Sequence, residues 1–243
     1  MFPIRDHNPS QRTPYVTYTL IALNIAFFLY TLTLESNPRA LNAFYSQWAL
    51  IPERGLSDWH PYITSMFLHG GWMHIIGNML FLWIYGDNLE DEMGHLPFLA
   101  FYMAAGLAAG GIHVISEPFS PIPTIGASGA IAGVMGGYLL LFPKAKVDVL
   151  FIFVVFFKIW PISAWIVLML WFGLQLVNGA IADAATSGVA YWAHIGGFVA
   201  GLILVIPLWL KRGATAFWDR TEGHPPHPEA TYARSSIPVV RRK

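Results

Sequence analysis

A serine and a histidine, each set among small residues in a membrane-length apolar segment, are the residues of this chain best suited to chemistry. The serine is Ser128, in the sequence Gly-Ala-Ser-Gly-Ala at 126–130, and the histidine is His194, in Ala-His-Ile-Gly-Gly at 193–197. A polar side chain at membrane depth is costly and usually marks a functional site. Imidazole is the usual base for a serine hydroxyl, so the pair predicts nucleophilic catalysis inside a membrane.

Glycines predict how the two residues meet. Gly197 and Gly201 follow His194 at i+3 and i+7 on one helical face, and Gly129 and Gly133 give Ser128 a similar seam. Small residues let two helix backbones approach closely, so we expect the two seams to pack together. Each polar residue also has a simpler explanation, since Ser128 would serve as an N-cap after Gly126 and His194 as a buried, hydrogen-bonded side chain.

His74 and Asn78 lie at i and i+4 on another apolar segment and therefore share a helical face. Both can donate hydrogen bonds to a developing oxyanion without bringing a fixed charge into a low-dielectric site. The alternative is hydrogen bonding between helices. His69 precedes Gly-Gly, and we expect it to organise a loop.

A zinc site built from His69, His74 and His194 is an alternative interpretation of these histidines. The chain has no H-E-x-x-H sequence and no carboxylate inside the predicted spans, so we expect neither metal nor cofactor. The same missing carboxylate predicts a Ser–His dyad in place of a full triad.

Composition indicates an integral membrane protein. The chain has 243 residues, of which 55% are hydrophobic and 12% charged, with no cysteine and no net charge, so nothing points to nucleic acid. Six segments approach the roughly 20 apolar residues of a spanning helix. They are Tyr15–Leu34, a segment that begins between Tyr62 and Trp72 and ends near Tyr85, Pro97–Ile115, Ile125–Phe142, Pro161–Val177 and Val189–Leu210. The fold class is therefore all-α, and Val149–Phe157, too short to span, is interpreted as interfacial or as an extension of the fifth helix.

Lysine and arginine placement predicts the orientation. Six spans put both termini on one side, which would hold most of the basic residues, whereas Arg39 and Arg54 would lie on the other. Positive charge favours the cytoplasm, so we expect cytoplasmic termini and a site that opens to the outer side. The predicted divisions are a cytoplasmic segment 1–14, a six-helix domain 15–210 and a flexible cytoplasmic tail 211–243.

The ordered motifs resemble those of the rhomboid family of intramembrane serine proteases. They are His-Gly-Gly-Trp-Met-His-Ile-Ile-Gly-Asn at 69–78, Gly-Asp-Asn-Leu-Glu-Asp-Glu-Met-Gly at 86–94, and the sequences around Ser128 and His194. The resemblance implies a six-helix bundle that cleaves transmembrane substrates in a prokaryotic plasma (inner) membrane. It implies Ser128 as nucleophile and His194 as general base, with His74 and Asn78 at the oxyanion hole. Glu90 and Gly94 match a structural motif at the inner end of the second span.

One departure from the family concerns the support of the histidine. Many relatives place a tyrosine four residues after the serine, whereas this chain has Ala132 there, which leaves Tyr138, Trp192 or no ring to support His194. Two rival functions remain open: a non-catalytic rhomboid-like protein that binds or escorts membrane clients, and a transporter or proton pathway that uses the histidines.

Overall fold

The computed structural model describes residues 2–8, 10–153, 156–181 and 188–226, and it is mostly helical. The helices are α1 (Tyr15–Leu32), α2 (Pro38–Trp48), α3 (Pro61–Thr64), α4 (Trp72–Met93), α5 (His95–Ser116), α6 (Ser128–Leu141), α7 (Ala164–Ile181), α8 (Tyr191–Lys211) and α9 (Thr215–Thr221). The strands are β1 (Phe2–Asp6), β2 (Lys146–Phe153) and β3 (Phe156–Ser163). Short 3-10 turns occupy Pro52–Arg54 and Ser65–Phe67.

A helical membrane bundle is present, but its helices are unequal. Among the described residues, α1, α5, α7 and α8 are long and apolar enough to cross a membrane. Helix α4 has 22 residues but carries several acids near its end, and the apolar α6 has only 14. Length and composition therefore identify four of the six predicted spans, while α4 and α6 pack inside the bundle.

The prediction of an all-α chain is wrong between α6 and α7. In the segment expected to be interfacial or helical, Val149–Phe157, the described residues 149–153 and 156–157 belong to β2 and β3, which pair antiparallel, and residues 154–155 lie outside the described part. Helix α7 begins at Ala164 instead of Pro161. The run is rich in valine and phenylalanine, which favour strands. Strand β1 pairs antiparallel with β2 and completes a three-stranded sheet.

Ion pairs hold the N-terminal strand on this sheet. Asp148 on β2 accepts hydrogen bonds from Arg5 Nε at 2.8 Å and from the His7 ring at 2.7 Å. The segment predicted as a cytoplasmic extension is therefore part of the folded body.

The predicted tail also begins with a packed element. Phe217 of α9 is buried, and the Trp218 indole donates to the Leu140 carbonyl at the end of α6 at 2.9 Å. The described part of the tail, up to residue 226, thus packs on the C-terminal end of α6, and the remainder, 227–243, lies outside the described residues.

Helix α6 is the centre of the bundle, and every residue from Gly129 to Tyr138 is buried. It packs most extensively against α8, and also against α5 and α4. A Cβ at Gly197 would overlap the Gly129 carbonyl, and one at Gly201 would overlap the Gly133 carbonyl. The predicted contact between the two glycine seams is present, and it brings the α6 and α8 backbones into direct contact.

Glu90, near the C-terminal end of α4, binds the first turn of α1. Its carboxylate accepts the backbone N–H groups of Val16 and Thr17, each at 2.8 Å, and the Thr17 hydroxyl at 2.7 Å. The first N–H groups of a helix lack intrahelical partners, so the buried carboxylate satisfies two of them. Gly94, at φ +83°, then links α4 to α5 in a conformation that favours glycine.

A second carboxyl, Asp6 of β1, is buried against the C-terminal parts of α4 and α6. The Asn88 amide donates to it, as does the Tyr138 hydroxyl at 3.4 Å. Burial, with repulsion from Asp87 in addition, raises the pKa of Asp6 to about 8 despite these two donors. The docked strand therefore favours the protonated carboxyl.

The close approach of α6 and α8 predicts that Gly201→Ala destabilises the protein by about 1–3 kcal/mol, because the added methyl must push two backbones apart. Thermal unfolding in detergent would measure the loss. Gly173→Ala on α7 is the matched control, since no atom lies within 4 Å of its added methyl group, and it should be neutral or slightly stabilising. Equal unfolding temperatures for Gly201→Ala and the wild type would contradict the packing.

The burial of Asp6 predicts that β1 docks less tightly at alkaline pH. The folded pKa lies above the unfolded value of 3.8, so the stabilisation is complete below that value and is lost as the pH rises through about 8. Amide hydrogen exchange of residues 2–6, corrected for its intrinsic pH dependence, should therefore show falling protection between about pH 5 and about pH 9.

Asp6→Asn should remove most of this dependence, because the amide stays neutral. Asp219→Asn, at an exposed position of α9, should leave it unchanged. Identical pH dependence in Asp6→Asn and the wild type would assign the effect to another group.

Candidate active site

Ser128 and His194 are directly hydrogen-bonded. The distance from Ser128 Oγ to His194 Nε2 is 2.8 Å. Ser128 is the first residue of α6, as expected, but Ala127 holds the N-cap position and no side chain caps the helix. The serine therefore does not act as an N-cap, and its hydroxyl is used on the histidine of α8.

The second ring nitrogen of His194 also has a hydrogen-bond partner. His194 Nδ1 lies 2.8 Å from the Gln175 side-chain oxygen on α7, and the Trp171 ring lies 5.7 Å away, tilted by 36°. The aromatic neighbour is thus Trp171 and not Tyr138, which packs against Tyr85 near the C-terminal end of α6. Trp192, the other ring considered from the sequence, makes no ring contact with His194 among the described residues.

His74 and Asn78 face the same space as the serine. A Cβ built at Gly126 would lie 2.7 Å from His74 Nε2 and 3.6 Å from Ser128 Oγ, so these groups surround one small volume. Asn78 is buried, and its amide nitrogen has no partner among the described residues. An unpartnered donor that lines a cavity is available to an incoming acceptor.

The loop that leads to Ser128 is fixed at several points. Gly126 has φ +130°, which side chains rarely adopt, and its N–H donates to the Ser65 carbonyl at 2.9 Å. Thr124 forms a bridge with Leu50, and its hydroxyl lies 2.9 Å from His113 Nε2 on α5. These contacts set the entry of the chain into α6.

His69 is buried beside the site, with its ring 4.9 Å from the ring of His74. Its position just before α4 fits the expected role in the loop. In the part of the chain that the structure describes, no group of three His, Cys, Asp or Glu side chains is arranged to hold a metal.

A cavity of about 1080 Å³ connects these groups. Its lining includes the polar side chains Ser128, His194, His74, Asn78 and His113, together with Trp171 and the small residues of α6. Six of the residues predicted from the sequence line this cavity: His74, Asn78, Gly126, Ser128, Gly129 and His194. Glu90, Gly94, Gly197 and Gly201 do not line it, and their contacts are with neighbouring helices or at a turn.

Sequence reasoning missed Gln175, Trp171 and His113. A signal for Gln175 existed, because it is a lone amide in the apolar sequence Trp-Phe-Gly-Leu-Gln-Leu-Val at 171–177, and polar groups in such segments seek partners. His113 gave a similar signal within the third predicted span.

Fold and site together define a helical membrane protein with a hydrogen-bonded serine and histidine in a cavity of the bundle. Residues 56–211 match the family model of the Rhomboid domain. The chain belongs to the rhomboid family.

Named relatives agree. The chain is 34% identical to "Rhomboid protease GluP" of Bacillus subtilis (strain 168), over 85% of this chain and 37% of that protein. It is 29% identical to "Rhomboid protein 1, mitochondrial" of Saccharomyces cerevisiae, over 77% of this chain and 51% of the relative. A "Rhomboid protease GlpG" of Salmonella choleraesuis is 25% identical, over 65% and 51% respectively. The chain thus spans between about a third and about half of the length of these relatives.

Proposed function

We propose that this protein is an intramembrane serine endopeptidase that cleaves transmembrane segments of other membrane proteins. The observation that carries the proposal is the 2.8 Å hydrogen bond between Ser128 and His194 in a cavity that is also lined by His74 and Asn78. The relatives named as rhomboid proteases support the same activity.

In the proposed mechanism, His194 Nε2 takes the proton of Ser128 as the serine oxygen attacks the scissile carbonyl. His194 then gives this proton to the leaving amine, and an acyl-enzyme remains on Ser128. Water, activated in turn by His194, attacks the ester and releases the second product. The cavity gives water a path to a site that lipid would otherwise keep dry.

The tetrahedral oxyanion would be held by three kinds of donor. The His74 ring and the Asn78 amide line the cavity beside Ser128, and the first N–H groups of α6 have no intrahelical partners. The positive end of the helix dipole lies at the same place. All of these donors are fixed by helices before the substrate arrives, which is the arrangement that makes electrostatic stabilisation effective.

The substrate class follows from the setting. A helical peptide bond is shielded by its own backbone hydrogen bonds, so a substrate helix must unwind locally before Ser128 can reach its carbonyl. We propose that the protein lies in a prokaryotic plasma (inner) membrane, with cytoplasmic termini and a site that opens to the outer side. Basic residues near the termini, such as Arg5 and Lys211, support this orientation.

Ser128→Ala should abolish cleavage of a transmembrane reporter in liposomes, because no other group supplies the nucleophile, and it should leave thermal unfolding almost unchanged. Labelling by a fluorophosphonate, with the labelled residue identified by mass spectrometry, should find Ser128 in the wild type and no label in His194→Ala. Cleavage that persists in purified Ser128→Ala would overturn the assignment. A folded wild type that neither labels nor cleaves would instead favour a client-binding role.

Asn78→Ala should lower kcat by about 100-fold while KM changes little, because the amide nitrogen has no partner among the described residues and is proposed to act on the oxyanion. His74→Ala should act in the same direction. Asn42→Ala, an exposed position on α2, is the matched control and should keep the wild-type kcat. A rise in KM at constant kcat would mean that Asn78 binds substrate instead of the transition state.

A further inference from the structure

Gln175 is a polar side chain buried in the otherwise apolar packing of α7. It is only 8% exposed, and it lies in an apolar helix whose other buried residues are Ala164 and Leu168. A buried amide in such a segment is costly unless its polar atoms are hydrogen-bonded. Both polar ends of Gln175 have partners, and one of these partners is His194.

The two hydrogen bonds fix the orientation of the amide. The Gln175 nitrogen points to the Trp171 carbonyl one turn earlier, at 3.4 Å, and only an NH₂ group can donate there. The oxygen therefore faces His194 Nδ1, at 2.8 Å, and it can only accept. Exchanging the two ends would place the amide oxygen, an acceptor, against the Trp171 carbonyl, which can also only accept.

This orientation determines the tautomer of the histidine. Because Gln175 presents an acceptor, the proton of the neutral imidazole is on Nδ1, and Nε2 has a free lone pair. That lone pair faces the Ser128 hydroxyl at 2.8 Å. The imidazole is thus held in the only neutral form that can accept the serine proton.

We propose that Gln175 is a positioning residue and the third member of a Ser128–His194–Gln175 triad, in which an amide takes the place of the carboxylate found in soluble serine proteases. The inference rests on the proposed function. Gln175 holds the base in the active tautomer, and its carbonyl dipole stabilises the imidazolium that forms when His194 takes the proton. Because the amide is neutral, it does so without the cost of a charge inside the bundle.

Trp171 completes the arrangement from the same helix. Its carbonyl orients the amide, and its ring covers the imidazole face at 5.7 Å. One turn of α7 therefore supplies both the hydrogen bond and the aromatic contact that support His194.

The test compares Gln175→Leu, which keeps the size of the side chain but removes the acceptor, with Gln175→Glu, which keeps the acceptor and adds a charge. The readout is the rate of fluorophosphonate labelling of Ser128 as a function of pH, on the full chain in liposomes. Gln175→Leu should label about 10- to 100-fold more slowly at its plateau, because the base is no longer held in one tautomer.

The pH profiles should separate positioning from packing. The pH of half-maximal labelling should move to a lower value in Gln175→Leu, because the imidazolium loses its acceptor. It should move to a higher value in Gln175→Glu, because a carboxylate favours the imidazolium. A role limited to packing would lower the rate of both variants without moving their profiles in opposite directions.

Gln47→Leu makes the same substitution at an exposed position of α2 and should behave as the wild type. If Gln175→Leu does not fold, as judged by thermal unfolding, the upward shift in Gln175→Glu carries the test alone. Wild-type rates and profiles in the folded variants would overturn the inference while leaving the protease proposal intact. An unlabelled wild type would instead show that the proposed function itself has failed.

Discussion

The pairing of Ser128 with His194 depends on the direct contact between the backbones of α6 and α8. Gly129 and Gly133 present their carbonyls to Gly197 and Gly201, at positions where a single methyl group would collide. Ser128 and His194 each lie next to the start of one of these seams, so the helix separation sets the distance between hydroxyl and imidazole. The hydrogen bond of 2.8 Å is therefore a consequence of helix packing, which in lipid relies on close van der Waals contact and not on a hydrophobic force between helices.

Helix α6 is too short to span the hydrocarbon core of a bilayer. Fourteen helical residues extend about 21 Å, which is less than the roughly 30 Å hydrocarbon core of a bilayer. A helix of this length cannot reach both surfaces of the hydrocarbon core, so at least one of its ends must lie below a membrane surface. Irregular backbone at that depth is tolerated only where protein or a water-filled cavity surrounds it. The loop before Ser128 meets this condition, because it bonds to Ser65, Leu50 and His113 and borders the cavity.

The sequence was sufficient to predict the helices of the bundle and the convergence of Ser128, His194, His74 and Asn78, because glycine seams and polar residues in apolar segments are local signals. It failed at 149–157, where a short continuous apolar run fits a strand and a helix equally well. The pairing of β1 with β2 was also beyond reach, since it joins residues far apart in the chain. Gln175 could have been noticed as an isolated amide, but only the packing of α7 against α8 identifies its partner.

Contacts at the C-terminal ends of α4 and α6 also affect the position of the site residues at the N-terminal ends of these helices. Helix α4 carries His74 and Asn78 near its N-terminal end and Asn88 and Glu90 near its C-terminal end, with about 21 Å of helix between His74 and Asn88. Asn88 contacts Asp6 of β1, and Asp6 also contacts Tyr138, which lies on the helix that begins with Ser128. A rigid helix cannot slide at one end without moving at the other. The N-terminal strand therefore fixes the relative heights of α4 and α6, and with them the heights of the proposed oxyanion donors and the proposed nucleophile.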